Sequence, residues 1–313
     1  MAVTGTARVS SLPPNGISAV AAHLQSQHGA QPAGPWRIRF RPHRRVHGTP
    51  GTEAPGEAHR RTLWEVTDTA HPQHVFVVSE DTSKPTRAEM ARTGTHAPSS
   101  RWHARVMSAE FPTLLRLSNL PGPLGSAVGT PGPGAWVQRG AQVLLDGLSF
   151  HVRLRGLQAH GSALSAVGEH DECVLSIGNV VVGSDRIVGG MVEIQYLPLT
   201  QLPPDSSLLG SLLLTLLPPD FVPLLVPMAA SLPLTLPTVV PRTMLPPSLL
   251  AEIVPASTGA WQQGAVTGAP GAPGFAPWDA DDAVPDALGW TPLEARRRMA
   301  YVHLVLLRAE GLA

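Results

Sequence analysis

Fourteen prolines fall between residues 218 and 285, beside a single basic residue, Arg242, and that run decides which parts of the chain can build a core. Proline has no amide hydrogen to donate and clashes with the preceding helical turn, so neither a long helix nor a central strand survives such spacing. No apolar period is sustained there, and 218–290 is expected to be a disordered or loosely ordered low-complexity insertion. Its first prolines also interrupt the one segment apolar enough to mimic a membrane span, 208–237. Backbone groups freed by proline find no partner in lipid, so no membrane helix is expected.

The folding information must therefore lie in 1–217 and 291–313. Residues 2–10 alternate apolar and small polar groups, which predicts a first strand. Ile17, Val20, Ala21 and Leu24 share one helical face, with Asn15 or Ser18 as N-cap and Gly29 as the stop. Trp36, Ile38 and Phe40 alternate with Arg37, Arg39 and Arg41, the period of a half-buried strand. Loop insertions are expected at 43–60 and 82–100, strands at 63–66, 74–78 and 102–107, a short helix at 111–120 and a Gly/Pro linker at 122–134. Further strands are expected at 141–145, 149–155, 173–182 and 191–197, punctuated by Gly147 and by Gly189 with Gly190. Asp205 is placed to cap a helix over 206–217. Thr291 and Pro292 open a final helix, belonging to the same domain, that stops at Gly311. Long runs of strands without alternating helices favour an α+β fold with an antiparallel sheet over a doubly wound one.

The chemistry-bearing motifs are missing: no GxxxxGK[ST], no strand-associated GxGxxG, no HExxH, no GxSxG and no CxxC. Twenty-three basic and 23 acidic residues cancel, which argues against a global nucleic-acid footprint. The single cysteine, Cys173, excludes an intrachain disulfide and fits a reducing compartment. MAVTGTARVSSLPP has no basic region followed by an apolar stretch, so no secretory signal is expected. Glu169, His170, Asp171, Glu172 and Cys173 are adjacent, but neighbours on an entering strand point to opposite faces and cannot converge on a metal. His43 with His47, and His71 with His74, lie in apparent loops and rank no higher. Asp279, Asp281 and Asp282 sit in the Pro/Gly-rich stretch, which cannot hold a catalytic pair at fixed separation. No catalytic, cofactor or metal residue is therefore assigned. Arg37, Arg39, Arg41, Arg44 and Arg45 form one basic cluster, and Arg296, Arg297 and Arg298 another. Each is a solvated face or a contact for an acidic partner surface or phosphate. The final helix is apolar nearly all round, so it must be buried in the core or against a partner. Met299, Val302 and Leu306 are the candidate partner-interface residues.

Several stretches resemble subunit 20 of the Mediator complex, of the fungal type, a family described as related to the TATA-binding protein. SLPPNGISAVAAHLQSQHGAQPAGPWRIRFRPHR resembles its first helix and Trp-led strand, and LWEVTDTAHPQHVFVVSED its next hairpin. WVQRGAQVLLDGLSFHVRLRG resembles its central strand pair with an intervening Asp-Gly turn. DECVLSIGNVVVGSDRIVGGMVEIQYLPL resembles its closing strands, and AYVHLVLLRAEG its last helix. Together these cover roughly half of the chain in the family's order, interrupted by the insertions at 43–60, 82–100 and 218–290.

The resemblance implies a strongly curved, mostly antiparallel sheet, barrel-like, packed around helices. It also implies a nuclear, non-enzymatic coactivator in the head module that regulates RNA polymerase II transcription through protein–protein contacts. Its partners would be Mediator subunit 18, as a heterodimer, subunit 8, and other head-module subunits. It implies no cofactor, small-molecule substrate, direct nucleic-acid contact or membrane. The enzymatic alternative is a triphosphate-tunnel phosphohydrolase, for which one strand offers Glu193 and Gln195, but Lys84 is the only lysine. A DNA-binding module would need a broad basic concave sheet with apolar wedges. An unrelated structural adaptor of similar fold is the third alternative.

Overall fold

A computed structural model of the protein describes residues 3–45, 61–94, 101–117, 135–154, 171–199, 208–225 and 292–313. The elements run β1 (Val3–Val9), α1 (Gly16–His28), β2 (Gln31–Arg45), β3 (Arg61–Asp68), β4 (His74–Asp81), α2 (Arg87–Thr93), β5 (Trp102–Ser108) and α3 (Phe111–Leu117). They continue with β6 (Trp136–Gln138), β7 (Val143–Arg153), β8 (Glu172–Val182), β9 (Arg186–Tyr196), α4 (Leu208–Leu216), a 3-10 turn (Pro219–Leu224) and α5 (Pro292–Ala309). All pairings are antiparallel, in the order β1-β9-β8-β7-β2-β3-β4-β5, with the short β6 added to β2. This is the α+β class expected from the strand-rich pattern.

The sheet curls around α5. Arg308 reaches Glu80 on β4, while Glu310, two residues on, meets Arg8 on β1. Those strands are six places apart, about 29 Å in a flat sheet. Arg296 alone bridges Asp68 on β3 and Glu193 on β9, four places apart. Only a strongly curved sheet brings such strands together, and its two edges, β1 and β5, are not paired with each other.

Alternation then sorts side chains between two faces. On the concave face Trp36, Ile38, Phe40, Trp64, Val66, Phe76, Val78, Val143 and Leu145 pack against Met299, Tyr301, Leu304 and Leu307 of α5. On the convex face Phe150, Val152, Leu175, Ile177, Val192 and Ile194 pack against Val20 and Leu24 of α1 and the leucines of α4. A third, small cluster joins Leu63, Val75 and Val77 to Leu115 of α3.

Several expectations need correction. The Asp146-Gly147 pair makes no turn: β7 runs unbroken through it and pairs with β8 along its whole length. Gly147 lies opposite Gly178, and a Cβ there would sit 1.9 Å from the Ile177 carbonyl oxygen. The glycine serves close strand approach, not reversal. Gly189 and Gly190 likewise lie inside β9, where Gly189 has φ 124 and an added Cβ would sit 2.5 Å from the Val9 carbonyl oxygen.

Residues 218–225 belong to the packed domain rather than the insertion. Pro219 opens a 3-10 turn that buries Phe221, and Leu225 bridges to Val9. His43, Arg44 and Arg45 extend β2 instead of starting a loop, and the 82–100 stretch contains α2, closed by a Thr86/Glu89 capping box. Gly29 stops α1 in the left-handed conformation, but Asn15 makes no capping hydrogen bond through its side chain. Asp205, Thr291, the 122–134 linker and the rest of the 218–290 insertion lie outside the described residues. No helix among the described residues is long and apolar enough to cross a membrane.

Candidate functional site

Among the described residues, the deepest convergence of titratable groups lies inside the curl of the sheet, under α5. Glu193 sits on β9 between Met191 and Gln195, so alternation turns it towards the concave face, where it is 1% exposed. Asp68 ends β3 on the same face. Proline at the first turn of α5 and Glu294 near its N-terminus set the helix, and the following turn carries Arg296 inward. The Arg296 guanidinium donates through Nη1 to both Glu193 oxygens, at 2.8 and 2.7 Å, and through Nε to Asp68. His303, two turns on, places Nε2 3.3 Å from Glu193 Oε2 and stands edge-on to Trp36. Gln195 donates to Glu193 at 2.9 Å.

Burial alone would raise the Glu193 pKa, but Arg296 and His303 outweigh it and hold the carboxyl well below the usual range. Burial would depress Arg296, yet Glu193 and Asp68 raise it further above its ordinary value. His303 is pushed down by burial more than Glu193 pulls it up. A neutral imidazole therefore sits between an ionised carboxylate and Trp36.

Two further clamps hold the C-terminal end of α5. Arg308 donates to Glu80 at 2.6 Å and lies 5.1 Å from the ring centroids of Trp64 and Trp102, which stack on each other. Arg101 donates to the other oxygen of Glu80. Beyond the helix, Glu310 accepts from Arg8, whose Nη1 also donates to the Gly190 carbonyl. Arg297 donates to the Ala104 carbonyl of edge strand β5 at 2.6 Å and pairs with Glu294, which also lies 3.7 Å from Arg298.

These positions revise the reading of both α5 candidates. Arg296, Arg297 and Arg298 are neither a solvated face nor a surface for an acidic partner: all three are buried against the chain's own carboxylates and carbonyls. Met299, Val302 and Leu306, expected at a partner interface, are buried in the concave core, so the apolar demand of the helix is met within the chain. The signal that misled is real. A helix apolar all round must be covered, but sequence does not say by what. Asp68, His303, Glu80 and Arg8 carry no local sequence signal, because each acquires its role only through a partner far along the chain.

The remaining sequence candidates do not converge. Asp171 accepts from the Tyr196 hydroxyl, Glu172 pairs with Arg153, and burial pushes the Cys173 thiol up to about 12. That thiol is no nucleophile at neutral pH. Burial lowers His71, whose ring meets Phe76 edge-on, and His43 approaches Glu65 at 3.4 Å. Among the described residues no group of three or more His, Cys, Asp or Glu side chains is placed to share a metal. Glu169, His170, His47 and the aspartates at 279, 281 and 282 lie outside the described residues.

What the convergent cluster can do chemically is hold a helix. Its carboxylates are saturated by guanidinium donors and the space along the curl is filled by α5 side chains. No family model and no curated protein matches the chain.

Proposed function

We propose that this chain is a non-catalytic scaffold that works through protein–protein contacts, as a subunit 20-like component of the Mediator head module in the nucleus. Its partners on this reading are Mediator subunits 18 and 8, with other head-module subunits around them. The observation that carries the proposal is the architecture: a curved, unclosed antiparallel sheet curled around the chain's own terminal helix, in keeping with the fold that the sequence resemblance implies. The state of Glu193 supports it. A polyphosphate tunnel needs that carboxylate free for metal, whereas Arg296, His303 and Gln195 already occupy it.

The test is affinity purification of the tagged full chain from nuclear extract, with mass spectrometry of what comes with it. Co-purification of Mediator subunits 18 and 8 with the head module is the expected result. Recovery of the chain alone, or with unrelated proteins, would overturn the assignment.

A further inference from the structure

Among the described residues, helices clothe the convex face at both ends and leave its middle without a helix. Helices α1 and α4 cover the β1-β9-β8-β7 end, and α3 covers β3 and β4. Between them one cross-strand row runs through Thr67 of β3, Arg39 of β2, Leu144 of β7, Val181 of β8 and Ile187 of β9. Five residues in register span about 19 Å. Ile187 is 54% exposed, and Leu148, further along the same face of β7, is 42% exposed. Leu144 and Val181 are half-buried.

Arg39 gives the row its polarity. It is half-buried, and its Nε is buried without a hydrogen-bond partner among the described residues. Its neighbours on the same face are matched: Arg37 pairs with Asp146 at 2.8 Å and Arg41 with Glu65 at 3.2 Å. A desolvated guanidinium nitrogen with no acceptor is destabilising and rare, and calls for a reason. Three apolar side chains in line with it, two half-buried and one more than half exposed, describe the other half of a recognition surface.

We propose that this row is a docking surface for a peptide segment of a protein partner that carries a carboxylate beside apolar side chains. The carboxylate meets the Arg39 fork, and the apolar side chains lie on Leu144, Val181 and Ile187. The charge match is local, since Arg37 and Arg41 are already neutralised by their own partners. The surface stands independently of the Mediator assignment, because it is read from the sheet alone and tested without Mediator subunits.

The probe is a fluorescein-labelled dodecapeptide alternating glutamate with leucine and isoleucine, titrated with the full chain and followed by anisotropy. Its counterpart carries glutamine for glutamate. Saturable binding of the acidic peptide is expected, at least tenfold weaker for the glutamine peptide. Arg39→Gln and Ile187→Ser should each weaken it at least tenfold, while Leu114→Ser on α3 leaves it unchanged. Without peptide, Arg39→Leu should raise Tm by about 2 °C, since it keeps the apolar stem and removes the buried Nε that lacks an acceptor. Any of the following overturns the proposal: no saturable binding, equal affinity for both peptides, unchanged affinity in Arg39→Gln, or a fall in Tm with Arg39→Leu. Arg39-dependent binding of an oligonucleotide dodecamer, or dimerisation through this row, would overturn it in favour of nucleic acid or a second copy.

Discussion

The two faces of the sheet hold their helices by different means. On the convex face Leu209, Leu212, Leu213 and Leu216 of α4, with Val20 and Leu24 of α1, meet Ile177, Val192 and Ile194 through apolar contact. On the concave face α5 adds a ladder of ions to its apolar stripe: Arg296 between Asp68 and Glu193, Arg308 on Glu80, and Glu310 on Arg8. Apolar packing tolerates a change of shape better than a buried ion tolerates loss of its partner. A guanidinium that must meet β3 and β9 together accepts one register of α5. The ions thus specify where the helix sits, and the apolar side chains supply most of the driving force.

A shape-conserving substitution on each face sharpens that contrast. Glu193→Gln strands Arg296 beside Asp68 alone in a buried site and should cost about 3 kcal/mol in chemical denaturation. Leu213→Met, equally buried on the other face, should cost under about 1.5 kcal/mol. Equal losses would erase the difference between the faces. The two changes should add within about 0.5 kcal/mol, because they share no partner.

Acid provides the next test. His303 is lowered from its ordinary value of 6.5, so the unfolded chain binds its proton first. Its contribution is complete above pH 6.5 and is lost as pH falls below it. The groups facing it are Glu193, Arg296 and Asp68, with Trp36 against the ring. Glu193, lowered from 4.5, contributes above that value and is lost on further acidification. Stability should therefore fall in two stages below pH 6.5, the first smaller but not absent in His303→Gln, because burial also lowers His28 and His71 from the same value. An unchanged first stage would remove His303 from the account.

The smallest effect belongs to the surface. Arg37 and Asp146 pair at 2.8 Å but are half-exposed, and Asp146→Asn should change stability by less than about 0.5 kcal/mol. A loss as large as that of Glu193→Gln would mean that burial is not what separates the two kinds of pair.

How much of this was legible in the sequence follows the range of each signal. Local alternation at Trp36, Ile38 and Phe40 placed β2, and an αL glycine after an apolar helical face ended α1 at Gly29. The antiparallel α+β class followed from strand after strand without helices between. Asp146-Gly147 misleads because its turn-forming tendency is local, whereas the contact that decides its geometry is with Gly178, paired across the sheet. The arginines of α5 were visible as a cluster, but their burial was not. Nothing near residue 296 announces Asp68 or Glu193. Pro219–Leu224 was hidden for the opposite reason, since its prolines resemble the stretch that follows, while Phe221 marks the point where the core still reaches.

The central claim is that α5 is part of the core and fills the curl of the sheet. Native-state hydrogen exchange of the full chain measures this most directly, residue by residue. Amides over 299–307 should exchange only with global unfolding, as slowly as those around Ile177 of β8. Exchange of α5 that is orders of magnitude faster while β8 stays protected would mean that the helix leaves on its own, and would contradict a filled interior.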